Sequence, residues 1–323
     1  MTYGSRYFRQ TLAASLILVI LLFAACSTNP RPAVREGFIP VTGGKVWYRL
    51  VGSGDATPVI LLHGGPGSSS DYLKPLEKLS LDRPVIVYDQ LGCGRSDNPD
   101  NDELWHIERF VEELAQVRAG LNLKQVHLYG HSWGTMLAVD YMLTKPEGVK
   151  SLTLASPCIS IKRWADDARQ LIEKLPFTTR QVIRHHEREG TTDSKEYEAA
   201  VAEYLKNYFC RLKPWPPELK QAFDRSNPKI YRIMWGPSEW FPTGNLKTYE
   251  RVGRLGEIKV PTLLTAGRFD EATPAATAWY RSHVPDSMLR IFEESSHLAM
   301  FEEKDAYLES IREFLRAHDG VRP

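Results

Sequence analysis

Six short apolar runs, each bounded by turn residues, are the strongest indication of the fold of this chain. Between them, apolar residues recur with the period of a helix, as at 106–120 and 133–144. Nearly continuous Val, Ile and Leu are typical of strands buried on both faces of a parallel sheet. The alternation of such strands with helices predicts a doubly wound, mostly parallel α/β sheet. The six runs are residues 58–65, 83–90, 124–132, 149–157, 260–267 and 287–295.

Two segments depart from this alternation. Residues 38–51 predict two strands joined by Gly43-Gly44, and so an antiparallel hairpin at the start of the sheet. Between 160 and 256 no buried strand is evident, and charged and aromatic residues recur with helical periodicity, as at 194–209. We therefore expect a helical cap inserted into the sheet domain. The predicted division is a core of residues 38–159 and 257–323 and a cap of residues 160–256.

The first part of the chain has the character of a targeting segment. Arg6 and Arg9 precede an uncharged apolar run of 15 residues, and Cys26 and a proline-rich polar stretch follow it. This order is typical of a secretory signal, and the run is shorter than the roughly 20 residues that cross a bilayer. The segment FAAC resembles a bacterial lipoprotein signal, with Phe23 where Leu is usual. We expect a signal peptide over residues 1–25 and a linker over residues 26–37.

Cys26 is the expected lipidation site. Two or more acyl chains on this residue would give stable membrane attachment, and Ser27 favours the outer membrane, on the periplasmic side of the cell envelope. An uncleaved signal anchor is the alternative. The formal net charge of +1 provides no attraction to nucleic acid, which we do not expect as a partner.

The other cysteines show no metal-binding or disulfide pattern. Cys93, Cys158 and Cys210 lack CxxC spacing, and we expect all three to be buried and free. His185-His186 have the wrong spacing for two ligands on one helix face. We expect neither a metal nor a cofactor.

A candidate nucleophile lies where the run 124–132 meets the helix 133–144. The sequence GHSWG at 130–134 is a GxSxG pattern, with Ser132 at its centre. A serine on a strained strand-to-helix turn exposes its hydroxyl, and flanking glycines let the strand and the helix pass closely. A serine that only caps the helix is the alternative. We expect an amphipathic helix after the turn, and we interpret His131 as a packing residue that points away from the site.

The segment HGGPG at 63–67 directly follows an apolar run. A glycine-rich loop in that place can aim backbone N–H groups into a pocket, and we expect those of Gly65 and Trp133 to form an oxyanion hole. Phosphate binding is the alternative, but the chain has no GxxxxGK[ST] pattern and Pro66 lacks a donor. We interpret His63 as structural.

A serine hydroxyl is a poor nucleophile unless a base accepts its proton, and the base needs an orienting acid. Among the nine histidines, only His297 follows the last predicted strand, at the carboxyl edge where such folds bind ligands. Asp270, just past the penultimate strand, is the candidate acid. The segment 155–157 at the other available strand end is Ala-Ser-Pro and offers no carboxylate.

Taken together, these segments resemble the proline iminopeptidases, particularly the branch similar to the tricorn-interacting aminopeptidase, and the related L-amino-acid amidases. The resemblance implies the α/β-hydrolase fold, a Ser132–Asp270–His297 triad and the Gly65/Trp133 oxyanion hole. Thr135 departs from the second glycine that usually follows the turn. The matching segments are HGGPG (63–67), YDQLGCGRSD (88–97), GHSWG (130–134), YRIMWGPSEW (231–240), IKVPTLLTAGRFDEATP (258–274) and SSHLAMFEE (295–303).

The resemblance also implies that Glu239 and Glu271 receive the free α-amine of the substrate, with Tyr231 helping to line that pocket. Two carboxylates that converge on one ammonium supply charge-assisted hydrogen bonds, and without substrate at least one should have a raised pKa. We expect an apolar pocket for the first residue, walled by aromatic side chains. The expected wall residues are Trp133, Trp235, Trp240 and Phe241.

The expected protein is a serine aminopeptidase that releases an N-terminal residue, with proline favoured, through an acyl-enzyme. Its expected substrates are short peptides or amino-acid amides with a free N-terminus. An L-amino-acid amidase, or an esterase or lipase on the same scaffold, is the alternative enzyme. A non-catalytic binding or envelope protein is the alternative from another class, and a haloalkane dehalogenase is disfavoured because an aspartate would stand in place of Ser132.

Overall fold

The computed structural model describes residues 33–319, which form an eight-stranded sheet flanked by helices. The strand order is β1-β2-β4-β3-β5-β6-β7-β8, and every pair from β4 onward in this order is parallel. The predicted mostly parallel, doubly wound sheet is therefore confirmed. The strands are β1 Val34–Val41, β2 Gly44–Val51, β3 Val59–Leu62, β4 Val85–Tyr88, β5 Val126–His131, β6 Val149–Ala155, β7 Thr262–Gly267 and β8 Ser287–Phe292.

The antiparallel start of the sheet is also confirmed, with shifted bounds. β1 pairs with β2, and β2 pairs with β4, both antiparallel. The turn is Thr42-Gly43 rather than Gly43-Gly44, because Gly43 has the positive φ, 96°, that the turn needs. β1 begins at Val34, so the last residues of the predicted linker 26–37 are a strand. The predicted signal peptide 1–25 and Cys26 lie outside the described residues.

Helices connect the strands and cover both faces of the sheet. Short 3₁₀ helices occupy Ser70–Leu81, Asp102–Leu104 and Val252–Glu257. The α-helices are α1 Ile107–Gly120, α2 Trp133–Leu143, α3 Ile161–Ile172, α4 Phe177–Glu189, α5 Lys195–Tyr208, α6 Pro217–Asp224, α7 Pro228–Met234, α8 Pro274–Arg281, α9 Ala299–Glu302 and α10 Lys304–Ala317.

The helices α3 to α7 all lie between β6 and β7, in a segment that we call the helical insert. The predicted cap, residues 160–256, lies within this insert. An isolated antiparallel β-bridge between Ser160 and Glu250 brings the two ends of the insert side by side. The insert has an apolar cluster of its own, formed by residues such as Leu171, Tyr204 and Trp240. Its helices α3, α4 and α5 therefore pack around a small core of their own, apart from the two cores of the sheet.

Side chains of the central strands pack on both sides of the sheet, as their continuous apolar sequences predict. In β3, Ile60 and Leu62 enter one cluster, and Val59 and Leu61 enter the cluster on the other face. Helix α2 is not amphipathic, contrary to prediction, since nine of its eleven residues are buried. It passes between the sheet and the rest of the core and has no face to solvent.

Two further observations concern the described residues. Cys93, Cys158 and Cys210 are buried and free, as predicted. No helix within residues 33–319 combines the length and the apolar character required to cross a bilayer.

Candidate active site

Ser132 lies at the sharp turn between β5 and α2. Its backbone has φ 56° and ψ −124°, a conformation that is costly for a residue with a side chain. The turn is held by two hydrogen bonds, from the Ser132 N–H to the Ala155 carbonyl at 3.0 Å and from the Thr135 N–H to the Ser132 carbonyl at 2.8 Å. The strained turn presents the Ser132 side chain to a cavity.

The two glycines of the motif allow the close packing that this turn needs. A Cβ atom on Gly134 would lie 2.3 Å from the Leu62 carbonyl oxygen, and one on Gly130 would lie 2.3 Å from the Gly134 carbonyl oxygen. Thr135, where the family resemblance leads one to expect glycine, donates its hydroxyl to the Ser132 carbonyl at 2.6 Å and accepts the Cys158 N–H. Its side chain therefore fits the turn and supports it.

Asp270 and His297 come together beneath the carboxyl ends of β7 and β8. His297 Nδ1 lies 2.7 Å from Asp270 Oδ1, and both side chains are almost fully buried. Asp270 also accepts the Ala272 N–H at 2.8 Å and the Ser156 hydroxyl at 2.6 Å. The carboxylate is thereby fixed in the orientation that holds the imidazole with Nε2 free for a proton.

Ser156 contacts the candidate acid, although its sequence context does not single it out. It stands directly after β6, at the strand end that offers no carboxylate, and its φ is 51°. Its hydroxyl donates to Asp270 across 114 residues of sequence. A lone serine after a strand gives no signal for that role, since the partner is distant in the chain.

Ser132 and His297 line the same cavity, which has a volume of about 270 Å³. No hydrogen bond joins their side chains within residues 33–319. Catalytic hydrogen bonds are often long before substrate binds, and they tighten in the substrate complex. The arrangement therefore places the candidate nucleophile, base and acid around one cavity, with no hydrogen bond yet between the Ser132 and His297 side chains.

Gly65 and Trp133 supply free backbone donors. In the described part of the chain, neither N–H has a hydrogen-bond acceptor, and the Trp133 N–H belongs to the unpaired first turn of α2. Gly65 lines the cavity, and a Cβ on the neighbouring Gly64 would lie 3.1 Å from the Ser132 Cβ. These donors therefore stay available for a developing oxyanion near Ser132.

Glu239 and Glu271 line the same cavity as Ser132. Glu271 Oε1 lies 3.9 Å from His297 Nε2, while the buried Glu271 Oε2 has no hydrogen-bond partner among the described residues. Glu239 Oε1 accepts the hydroxyl of Tyr231 at 2.8 Å. The structure thus brings together all three residues that the family resemblance assigns to amine binding.

Burial raises the pKa of the Glu271 carboxyl well above its usual range, and the negative charges of Glu239 and Asp270 raise it further, opposed by the nearby Tyr204 hydroxyl. Burial also raises the pKa of Glu239, opposed by the hydrogen bond from Tyr231 and by His297. Both shifts follow the prediction of a raised pKa, although desolvation is a larger cause than repulsion. A cation bound in this cavity would stabilise the charged form of both carboxylates and so lower both pKa values.

The predicted aromatic wall is wrong. None of its four residues lines the cavity. The Trp133 indole packs in the core and donates to Gln90 Oε1 at 2.9 Å, while Trp235 is buried and donates to the Ser238 carbonyl. Trp240 packs within the helical insert, and Phe241 faces a different cavity. The apolar lining of the active-site cavity is formed instead by Pro66, Val201, Leu205, Phe209, Leu219, Phe223, Pro228 and Pro237.

Two other histidines, His63 and His131, lie next to the candidate site. His63 is buried, with Nδ1 2.9 Å from the Gly64 carbonyl and Nε2 accepting the Gln90 N–H at 3.0 Å, so it holds the loop that carries Gly65. His131 lines the cavity rather than pointing away from it, because its ring packs against that of His297. Residues 33–319 contain no cluster of side chains suited to hold a metal ion.

The fold and this geometry define a serine hydrolase of the α/β-hydrolase class. The family model for the alpha/beta hydrolase fold matches residues 57–304. A proline iminopeptidase from Heyndrickxia coagulans is 50% identical over 284 residues, which cover 87% of this chain and 99% of the relative. The chain belongs to the proline iminopeptidase family.

Solved structures agree with this membership. The proline iminopeptidase of Mycobacterium smegmatis superposes with a TM-score of 0.82 and 30% identity, covering 88% of this chain and 99% of that one. VinJ superposes with a TM-score of 0.85 and 33% identity, covering 89% of this chain and 99% of that one.

Proposed function

We propose that this protein is a serine aminopeptidase that removes the N-terminal residue, with proline favoured, from short peptides with a free N-terminus. One observation carries the proposal: a cavity of about 270 Å³ contains Ser132 and His297 together with two carboxylates, Glu239 and Glu271. The names of the relatives support the same activity. A site for an ammonium group beside a nucleophile is what an aminopeptidase requires.

The carboxylate pair sets the distance between the substrate's amine and the bond that is cut. Glu271 Oε1 lies 3.9 Å from His297 Nε2, so an ammonium bound to Glu271 is close to the base. In a peptide, the α-nitrogen is separated from the first carbonyl carbon by a single carbon atom. Only the first peptide bond can therefore reach Ser132 while the amine is held.

The apolar lining fits the side chain of the first residue. The helical insert supplies most of this lining. Helix α5 and its end contribute Leu205 and Phe209, and α6 contributes Leu219 and Phe223. Burial of a proline ring among such side chains removes its apolar surface from water. This contributes about 25 cal/mol of favourable binding free energy per Å² buried. The insert thus supports both the amine site, through Glu239, and the apolar site.

The proposed reaction uses these side chains in turn. His297 Nε2 accepts the Ser132 hydroxyl proton as Oγ bonds to the substrate carbonyl carbon, and Asp270 stabilises the resulting imidazolium. The Gly65 and Trp133 N–H groups hold the oxyanion. His297 then gives its proton to the leaving nitrogen as the C–N bond breaks. Water, deprotonated by His297, releases the acyl group from Ser132.

Steady-state hydrolysis of L-proline anilide by purified wild type and by Ser132→Ala tests this reaction. We expect the variant to lose several orders of magnitude in kcat. Ser282→Ala, on the exposed end of α8, is the matched control and should retain wild-type rates. Near-normal turnover by Ser132→Ala would contradict the assignment of the nucleophile, and faster cleavage of alanine or leucine anilides would contradict the preference for proline.

We also propose that the protein is exported and anchored in the bacterial cell envelope through acyl chains on Cys26. The support is the basic start, the apolar run that ends in FAAC and the Ser27 that follows. Metabolic labelling with an alkyne fatty acid in a Gram-negative host should label the wild type in the outer-membrane fraction and leave Cys26→Ser unlabelled. Equal labelling of both proteins, or of neither, would contradict the anchor.

A further inference from the structure

Tyr72 and His131 form a hydrogen-bonded link between the two loops that flank Ser132. The Gly64 N–H donates to the Tyr72 hydroxyl at 2.6 Å, and this hydroxyl lies 2.9 Å from His131 Nδ1. On the other side of the ring, His131 Nε2 lies 2.9 Å from the His297 carbonyl oxygen. Tyr72 and His131 are 4% and 2% exposed, so water competes little for these contacts.

A neutral His131 ring allows only one placement of the protons in this link. Because a carbonyl oxygen can only accept, His131 Nε2 carries the ring proton and donates it to the His297 carbonyl. His131 Nδ1 is then an acceptor, and the Tyr72 hydroxyl, which itself accepts from the Gly64 N–H, donates its proton to Nδ1. Burial lowers the pKa of His131 well below its ordinary value, which keeps the ring neutral and Nδ1 free to accept.

The same ring also packs against the imidazole of the proposed base. The His131 and His297 rings have centroids 4.8 Å apart at an angle of 63°, and Phe209 contacts His297 with centroids 5.4 Å apart. His297 is thus held through its backbone carbonyl and through its ring. Gly64, at the opposite end of the link, immediately precedes the oxyanion donor Gly65.

We infer that His131 and Tyr72 are positioning residues that hold the His297 imidazole and the Gly64–Gly65 backbone in one arrangement around Ser132. Neither residue exchanges a proton with substrate, and the inference rests on the proposed serine reaction. Misplacement of reacting groups by about 1 Å can cost on the order of 100-fold in rate. Loss of the link should therefore lower kcat, while the amine site at Glu239 and Glu271 keeps KM nearly constant.

Kinetics per titrated active site distinguish positioning from a merely structural role. A fluorophosphonate probe, taken to its end point, counts the Ser132 residues that can react in each preparation. The variants are Tyr72→Phe, His131→Leu and their double mutant. The control is Tyr129→Phe, which also removes one buried hydroxyl, here bonded to Tyr307 at 2.6 Å and outside the cavity.

We expect kcat per titrated site to fall about 10-fold in Tyr72→Phe and about 100-fold in His131→Leu, with KM within about twofold of wild type. The double mutant should match His131→Leu, since both changes break one link. Tyr129→Phe should keep its kcat per site within about twofold. Tyr72→Phe lacks only one oxygen atom and so tests the inference even if His131→Leu does not fold.

The inference is overturned if Tyr72→Phe keeps the wild-type kcat per site, whatever happens to the number of titratable sites or to the melting temperature. It is also overturned if Tyr129→Phe loses as much kcat per site as Tyr72→Phe. A wild type that the probe does not label at Ser132 would instead refute the proposed reaction itself, which is a separate outcome.

Discussion

Replacement of Glu271 by glutamine should weaken substrate binding and stabilise the fold at the same time. The change removes a charge but keeps nearly the same shape. Glu271 is 1% exposed, and its Oε2 atom has no hydrogen-bond partner among the described residues. The carboxylate is therefore costly to the folded protein without substrate, and available to a substrate ammonium.

The two effects have separate magnitudes. A hydrogen bond to a charged group contributes about 1.5–3 kcal/mol, so loss of one ammonium contact should reduce kcat/KM by about 10-fold to 150-fold. An uncompensated buried polar group costs about 1–3 kcal/mol, and more when it is charged. Removal of the Glu271 charge should therefore raise the free energy of unfolding by an amount of this order at a pH where the carboxyl is ionised.

Both effects depend on pH in a definite direction. Because the pKa of Glu271 is raised in the folded protein, the native state binds more protons than the unfolded state between the two pKa values. Stability therefore falls as pH rises through the folded pKa, and Glu271→Gln should gain most at pH 8 and little below pH 4.5. The ratio of kcat/KM for wild type to kcat/KM for the variant should grow as pH rises and Glu271 ionises. The growth should end where the substrate amine, with an ordinary pKa of about 7.7–8.0, loses its own proton.

The assay is hydrolysis of L-proline anilide across this pH range, with urea unfolding of the same samples at pH 4.5 and 8. Glu293→Gln is the matched control, since this carboxylate is exposed and, within residues 33–319, pairs only with Arg268 on the surface. Glu293→Gln should leave both kcat/KM and the free energy of unfolding close to their wild-type values. Equal kcat/KM for wild type and Glu271→Gln at pH 7.5 would refute the amine-binding role.

Three further results follow from the contacts. Ser156→Ala should lower kcat about 10-fold at constant KM, because Asp270 loses its hydroxyl donor; an unchanged kcat would show that the backbone donors suffice. Gly134→Ala should lower the free energy of unfolding by about 1–3 kcal/mol in urea, whereas Gly253→Ala, with nothing within 4 Å of its Cβ, should not. In Cys26→Ser, the three remaining cysteines should react with Ellman's reagent only after denaturation; fast reaction of the native variant would contradict their burial.

The sheet and the helices that follow its strands could be predicted because their sequence signals are local. Continuous apolar residues such as those of β3 need two covered faces, and the structure provides both. The surroundings of a helix are not local, and α2 is buried all round although its sequence was interpreted as amphipathic. Where an element lies in the layers depends on elements far away in the chain.

The same distinction holds at the site. Ser132, Asp270 and His297 follow strands and so meet at one edge, which the order of the strands alone predicts. The direction of the Trp133 indole, toward Gln90 in the core, depends on a partner 43 residues away, and the predicted aromatic wall failed for that reason. Tyr72, His131 and Ser156 were missed or misjudged because each acts through hydrogen bonds to distant segments.

In the proposed reaction, Glu239 and Glu271 hold the free amine of the substrate while Ser132 attacks the adjacent carbonyl. A comparison of kcat/KM for L-proline anilide and N-acetyl-L-proline anilide with wild-type enzyme at pH 7.5 tests this claim. Acetylation removes the ammonium and leaves the bond to be cut unchanged. We predict at least 100-fold slower cleavage of the acetylated substrate. Equal rates for the two substrates would contradict the claim.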